Sequence, residues 1–167
     1  LDTLDLAHNQ LAAVPDDWSV APFLRHLYLS NNQLTQLPST LSQCSWLKTL
    51  QLARNKLSSS PNYFMALQRL EELDLSGNAL SRFPALPTSV RNLDLSNNQL
   101  TQIPAAFFQT SSLRYLDLSH NPLRHAKGLG QASQLKQLTL KGLNAAELAF
   151  ELLELPASVA IKSSSND

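Results

Sequence analysis

Apolar and polar residues alternate in short bursts that recur along almost the whole chain. The clearest is Leu93-Asp94-Leu95, followed by Asn98, Leu100, Ile103 and Pro104. Earlier copies read Leu4-Asp5-Leu6 with Asn9, Leu11, Val14 and Pro15, and Leu27-Tyr28-Leu29 with Asn32, Leu34, Leu37 and Pro38. Leu50-Gln51-Leu52 leads to Asn55, Leu57 and Pro61, Leu73-Asp74-Leu75 to Asn78, Leu80, Phe83 and Pro84, and Leu116-Asp117-Leu118 to Asn121 and Leu123. These asparagines are 23 residues apart, except for a step of 20 between Asn78 and Asn98. A period of this size predicts a solenoid, in which each unit buries its apolar face against its neighbours.

Each copy divides in two. The first half, as in Leu70-Glu71-Glu72-Leu73-Asp74-Leu75, has the period of two that predicts a half-buried strand. Short parallel strands are expected near residues 3–6, 26–29, 49–52, 72–75, 92–95, 115–118 and 137–140. At about 4.8 Å between neighbours they span on the order of 30 Å. Where the chain leaves the strand, inward-facing peptide groups need partners, and an amide side chain offers both a donor and an acceptor. Asn9, Asn32, Asn55, Asn78, Asn98 and Asn121 are therefore read as a structural ladder, and none begins a glycosylation sequon.

The second half returns the chain along the back. Apolar residues recur there every three positions: Trp18, Ala21, Leu24; Leu41, Cys44, Leu47; Phe64, Leu67, Leu70; Phe107, Thr110, Leu113, with Thr110 the polar exception. That spacing behind a proline predicts short 3₁₀ or helical turns. In the 20-residue copy, Pro84 and Pro87 exclude a helix and predict an extended return, narrowing the back and locally flattening the curve.

The L-x-x-L-x-L-x-x-N-x-L wording resembles the leucine-rich repeat family. The resemblance implies an α/β class solenoid: a right-handed curved horseshoe with a parallel concave sheet and a convex side of short 3₁₀, helical and extended segments. The P-x-x-L-x-x-L-x-x-L return resembles the 23-residue repeats of cytoplasmic animal, plant and bacterial members. Leu86-Pro87-Thr88-Ser89-Val90-Arg91-Asn92-Leu93 is similar to the short repeats of secreted bacterial effectors.

Residues 1–143 are expected to hold about seven repeats, the first truncated. The seventh copy, Leu135 to Leu140, has Leu143 where asparagine is due, so the ladder should stop there. Lys127 replaces the return proline, and Gly128 and Gly130 are expected to loosen that return. Residues 144–167 read as a cap: Asn144 as N-cap with Glu147 three residues on, a helix over 145–154 ended by Pro156, a short strand near 159–162, and a frayed tail from Ser163. The start inside a repeat, without an initiator Met, is read as a piece of a longer protein.

Thirteen basic residues balance thirteen acidic ones, which argues against a nucleic-acid partner. No apolar run reaches the roughly 18 residues of a membrane span. The single cysteine, Cys44, occupies a leucine slot and reads as a small buried hydrophobe. Without cysteine-rich caps, the chain is expected in a reducing, intracellular compartment rather than outside the cell. With only four glycines and four histidines, and no phosphate loop, G-x-S-x-G or paired metal ligands, no catalytic residue, metal or cofactor is expected. His120 and His125 flank a ladder asparagine and are expected to point apart.

Function is therefore sought on the strand positions that face away from the core. One column reads Asp5, Tyr28, Gln51, Asp74, Asp94, Asp117, Thr139; the next reads Thr3, His26, Thr49, Glu72, Asn92, Tyr115, Gln137. A third, largely basic, reads Asp2, Arg25, Lys48, Glu71, Arg91, Arg114, Lys136. The aspartates make an acidic stripe suited to a basic segment, and tyrosines are enriched at recognition hot spots. The candidate partner-binding residues are His26, Tyr28, Gln51, Arg54, Glu72, Asp74, Asp94, Tyr115 and Asp117. Phe23 and Trp46 share a slot before successive strands and form an apolar step, with Arg69 placed to stack on Trp46. The reading is a non-enzymatic module that binds a protein or peptide on its concave face. The family resemblance leaves two other settings open: a substrate-selecting or autoinhibitory region of a larger kinase, phosphatase, GTPase or ubiquitin ligase, and a piece of a receptor ectodomain.

Overall fold

The computed structural model describes residues 1–109, 112–143 and 148–163. Among them, eight strands form one parallel sheet in chain order: β1 (Thr3–Asp5), β2 (His26–Tyr28), β3 (Thr49–Gln51), β4 (Glu72–Asp74), β5 (Asn92–Asp94), β6 (Tyr115–Asp117), β7 (Gln137–Thr139) and β8 (Ala160–Lys162). Every pair is in register, so Leu4, Leu27, Leu50, Leu73, Leu93, Leu116, Leu138 and Ile161 stand side by side. From β2 to β7 this central leucine is buried, while its neighbours on the strand are half-buried or exposed except Thr49 and Thr139, which are buried. Burying each such leucine contributes about 2 kcal/mol, and the thin core is continuous along the solenoid.

The expected ladder is present. Asn55 Nδ2 donates to the carbonyls of Leu29 and Leu52 at 2.9 and 3.1 Å, and its Oδ1 accepts from Leu34 N–H at 3.0 Å. Each amide thus serves its own turn and the one before it. Asn32, Asn78, Asn98 and Asn121 repeat this geometry, and Asn9, at the first turn, bonds only within its own. The shortened copy leaves the ladder intact, because Leu80 N–H still reaches Asn98 Oδ1 at 3.0 Å.

The returns are 3₁₀ turns at Ser39–Gln43, Asn62–Ala66, Ala105–Gln109 and Leu129–Gln131; residues 81–88 run without a helix, and so does the first return over residues 15–24, where a 3₁₀ or helical turn was expected. One convex slot differs from the sequence reading. Phe108 is 2% exposed and fills the core, whereas Phe107 is half-buried and turns 4.4 Å from Phe83 across the shortened return. The missing residues of that return leave room for the ring. Thr110, expected in the same series, lies outside the described residues.

Gly128 and Gly130 do not loosen their return; they permit close approach. A Cβ at Gly128 would lie 2.8 Å from Ala105 O, and one at Gly130 2.9 Å from Glu154 O. At the C-terminal end, α1 (Ala149–Leu153) falls inside the expected helical run, with Leu148 buried against the core. The expected N-cap Asn144, its partner Glu147 and the tail from Ser164 lie outside the described residues. Leu143 packs on the core where the ladder amide would stand.

The ladder makes a quantitative prediction. Asn55→Ala removes the partner of two buried carbonyls and one buried N–H, and should cost about 3 kcal/mol or more in denaturant unfolding. Asn9→Ala, at an exposed turn, should cost less than about 1 kcal/mol. Equal losses at the two positions would refute the account.

Candidate functional site

Because the register is unbroken, outward side chains align across strands. Asp74, Asp94 and Asp117 are Cα partners on β4, β5 and β6, and Glu72, Asn92 and Tyr115 form the adjoining column. These columns enclose an open trough of about 300 Å³, lined by Gln51, Glu72, Asp74, Asp94, Tyr115 and Asp117 of the predicted residues. Asn92, Gln137 and Thr139 complete its polar lining; they stand in the same columns but carry no charge or aromatic ring that singles them out in the sequence. Tyr115 is 45% exposed and is the large apolar surface in the trough.

The remaining three candidates lie elsewhere. Tyr28 is half-buried on β2, beside Gln51 and one strand beyond the trough. His26 Nδ1 lies 3.1 Å from Thr49 Oγ1, so the ring is held by the neighbouring strand. Arg54 stands off the sheet in the turn after β3, exposed, with a left-handed φ of 53°. It shares that conformation with His8, Asn31, Gly77, Asn97, His120 and Gly142, each preceding a ladder position. Its stem covers Gly77, where a Cβ would come within 3.1 Å of Arg54 Cγ. This left-handed turn was legible only in retrospect, from the Asn, Gly and His that fill most of the column.

The aspartates have a task in the fold that the stripe alone does not reveal. Asp74 Oδ1 accepts from Ser76 N–H at 2.9 Å, Asp94 from Ser96 at 2.9 Å and Asp117 from Ser119 at 2.8 Å. Asp5 does the same for Ala7 at 2.9 Å. The signal is the recurring Asp-Leu-Ser wording, a side chain capping its own backbone two residues on. One oxygen of each carboxylate is thus tied to the turn. Burial pushes the Asp94 carboxyl above its ordinary value, the Ser96 hydrogen bonds oppose this, and the charges of Asp74 and Asp117 push it further up.

Among the described residues no group of three or more His, Cys, Asp or Glu is placed to hold a metal ion. His120 lies against Gly142, while His125 Nδ1 is 4.0 Å from Glu151 Oε1. Cys44 is fully buried and burial pushes its thiol up, which fits a packing residue. No helix among the described residues is long and apolar enough to cross a membrane.

The leucine-rich repeat model matches residues 1–57, 22–80 and 88–145. This chain belongs to the leucine-rich repeat family. No curated protein matches its sequence. Among solved structures it is similar to a chain from an octameric complex of Latrophilin 3, Unc5D and the FLRT2 leucine-rich repeats: 26% identity, TM-score 0.81, covering 97% of this chain and 54% of that one. A leucine-rich repeat protein of Leptospira interrogans is 24% identical, with TM-score 0.75 and 97% and 48% of the two chains covered. The repeat domain of a Shigella effector is 24% identical, with TM-score 0.67 and 100% and 83% covered. The chain thus spans about half the length of the first two relatives.

The raised Asp94 carboxyl gives a pH test. A carboxyl whose folded-state value lies above its unfolded value loses stability as pH rises through that range. Asp94→Asn keeps an oxygen for Ser96 N–H and removes the charge. The variant should therefore melt higher than the parent at neutral pH, and the two should converge below about pH 3. A gap that is constant with pH would remove the electrostatic explanation.

Proposed function

We propose that the trough docks a segment of a partner protein that carries basic residues. The observation that carries this reading is the convergence of Glu72, Asp74, Asp94 and Asp117 around one exposed tyrosine in a single hollow. Burial is the main cause of the raised Asp94 carboxyl and the charges of Asp74 and Asp117 add to it; a cation placed between the aspartates would offset both, so binding energy and local charge stabilisation act together. Tyr115 offers a flat face for a cation or an apolar side chain, at low entropic cost. Tyr28, beside Gln51 on the next strand, extends the path.

A stacked scaffold whose strand register and ladder are already fixed loses little conformational freedom on docking. The FLRT2 repeats in a multiprotein complex, at 26% identity to this chain, support a role in protein recognition. The proposed role is recognition without chemistry, consistent with the absence of catalytic motifs from the sequence.

The test is binding of a Lys/Arg-rich peptide followed by calorimetry. Asp74→Lys, Asp94→Lys and Asp117→Lys together should weaken it at least about 100-fold, and Tyr115→Ala about tenfold. Affinity for the wild type should fall as salt is raised. If the triple reversal leaves the affinity unchanged while circular dichroism shows an intact fold, the trough is not the docking site.

A further inference from the structure

A second surface of opposite character runs along the edge where the chain enters the strands. Phe23 and Trp46 precede β2 and β3, with ring centroids 6.4 Å apart, and Phe23 is 67% exposed. Trp46 is flanked by guanidinium groups, Arg69 at 3.7 Å and Arg25 at 5.8 Å from its ring centroid. Next to this step, Lys48, Arg69 and Arg91 surround a hollow of about 340 Å³, which Ser89 also lines. The Ser89 hydroxyl is buried without a hydrogen-bond partner. Asp2 and Glu71 are the carboxylates on this stretch of edge, and Asp2 is already 3.4 Å from Arg25. A chain of zero formal net charge therefore carries a cationic, aromatic rim beside its acidic trough.

We infer that this rim is a separate docking surface for an acidic peptide segment bearing an aromatic or large aliphatic side chain. The apolar residue would sit against the Phe23–Trp46 step. Flanking carboxylates would meet Lys48, Arg69 and Arg91. Charge complementarity chooses this occupant. A nucleic-acid strand presents phosphates at regular intervals and would be forced against Glu71. A peptide can place an uncharged residue there. The surface is independent of the trough, because the two present opposite charge from different columns of the sheet.

Tryptophan emission tests it directly. The chain has two tryptophans, and Trp18 is 4% exposed, so a ligand-induced change reports on Trp46. Titration with a synthetic Asp/Glu-rich peptide carrying one Phe should give a saturable emission change that weakens with salt. Lys48→Glu with Arg91→Glu should reduce affinity at least about tenfold. Arg69→Lys, which keeps the charge but loses the planar stack, should change the emission shift more than the affinity. The triple reversal in the trough should leave this binding in place, which separates the two surfaces. No binding by calorimetry, unchanged affinity in the Lys48→Glu/Arg91→Glu variant with an intact circular dichroism spectrum, or tighter binding of a single-stranded oligonucleotide would each overturn the proposal.

Discussion

Everything in this molecule depends on a backbone problem and its one solution. Where each strand ends, the chain turns inward and its peptide groups leave water before they have partners. The ladder amides answer this by bonding both to their own turn and to the turn before it, as Asn55 does with Leu52, Leu29 and Leu34. Successive units are therefore coupled by directed hydrogen bonds as well as by the apolar ribbon. The ladder holds one turn spacing after another, the spacing holds the strand register, and the register brings three aspartates to neighbouring positions on adjacent strands.

That alignment creates an electrostatic tension which the repeat wording cannot avoid. An Asp-Leu-Ser phrase is a good local solution, because the carboxylate caps the turn two residues later. Repeated on adjacent strands, the same solution crowds like charges on one face, and at the middle member, Asp94, these charges add to the larger effect of burial in pushing the carboxyl up. The fold tolerates this because one oxygen is compensated by a backbone N–H and the trough stays open to water.

Repetition explains why so much was legible in the sequence. The eight strands among the described residues were located to within a residue or two, and the spacing of proline and apolar residues identified the 3₁₀ returns behind Pro38, Pro61 and Pro104, though it also pointed to one behind Pro15 that does not form and missed the one at Leu129–Gln131. Phe107 and Phe108 show where such reading stops. Spacing selected Phe107 for the core slot, yet the adjacent Phe108 fills it while Phe107 stands against Phe83 of the neighbouring repeat. Arg54 shows a second limit: it was placed among the candidate partner-binding residues of the sheet, yet it stands in a left-handed turn after β3. The trough residues were legible as columns, but which of them converge depends on how far each side chain is drawn into a strand or turn. His26 is drawn toward Thr49 and Tyr115 stays out in the open.

The shortened repeat carries a wider consequence. Its return is three residues shorter and lacks a 3₁₀ turn, yet β4 and β5 pair in full register and Asn98 still accepts from Leu80. The front of the solenoid is thus insulated from the length of its back. Residues can be lost or gained behind the sheet while the geometry of its front is preserved, so the two sides are free to diverge at different rates and under different demands.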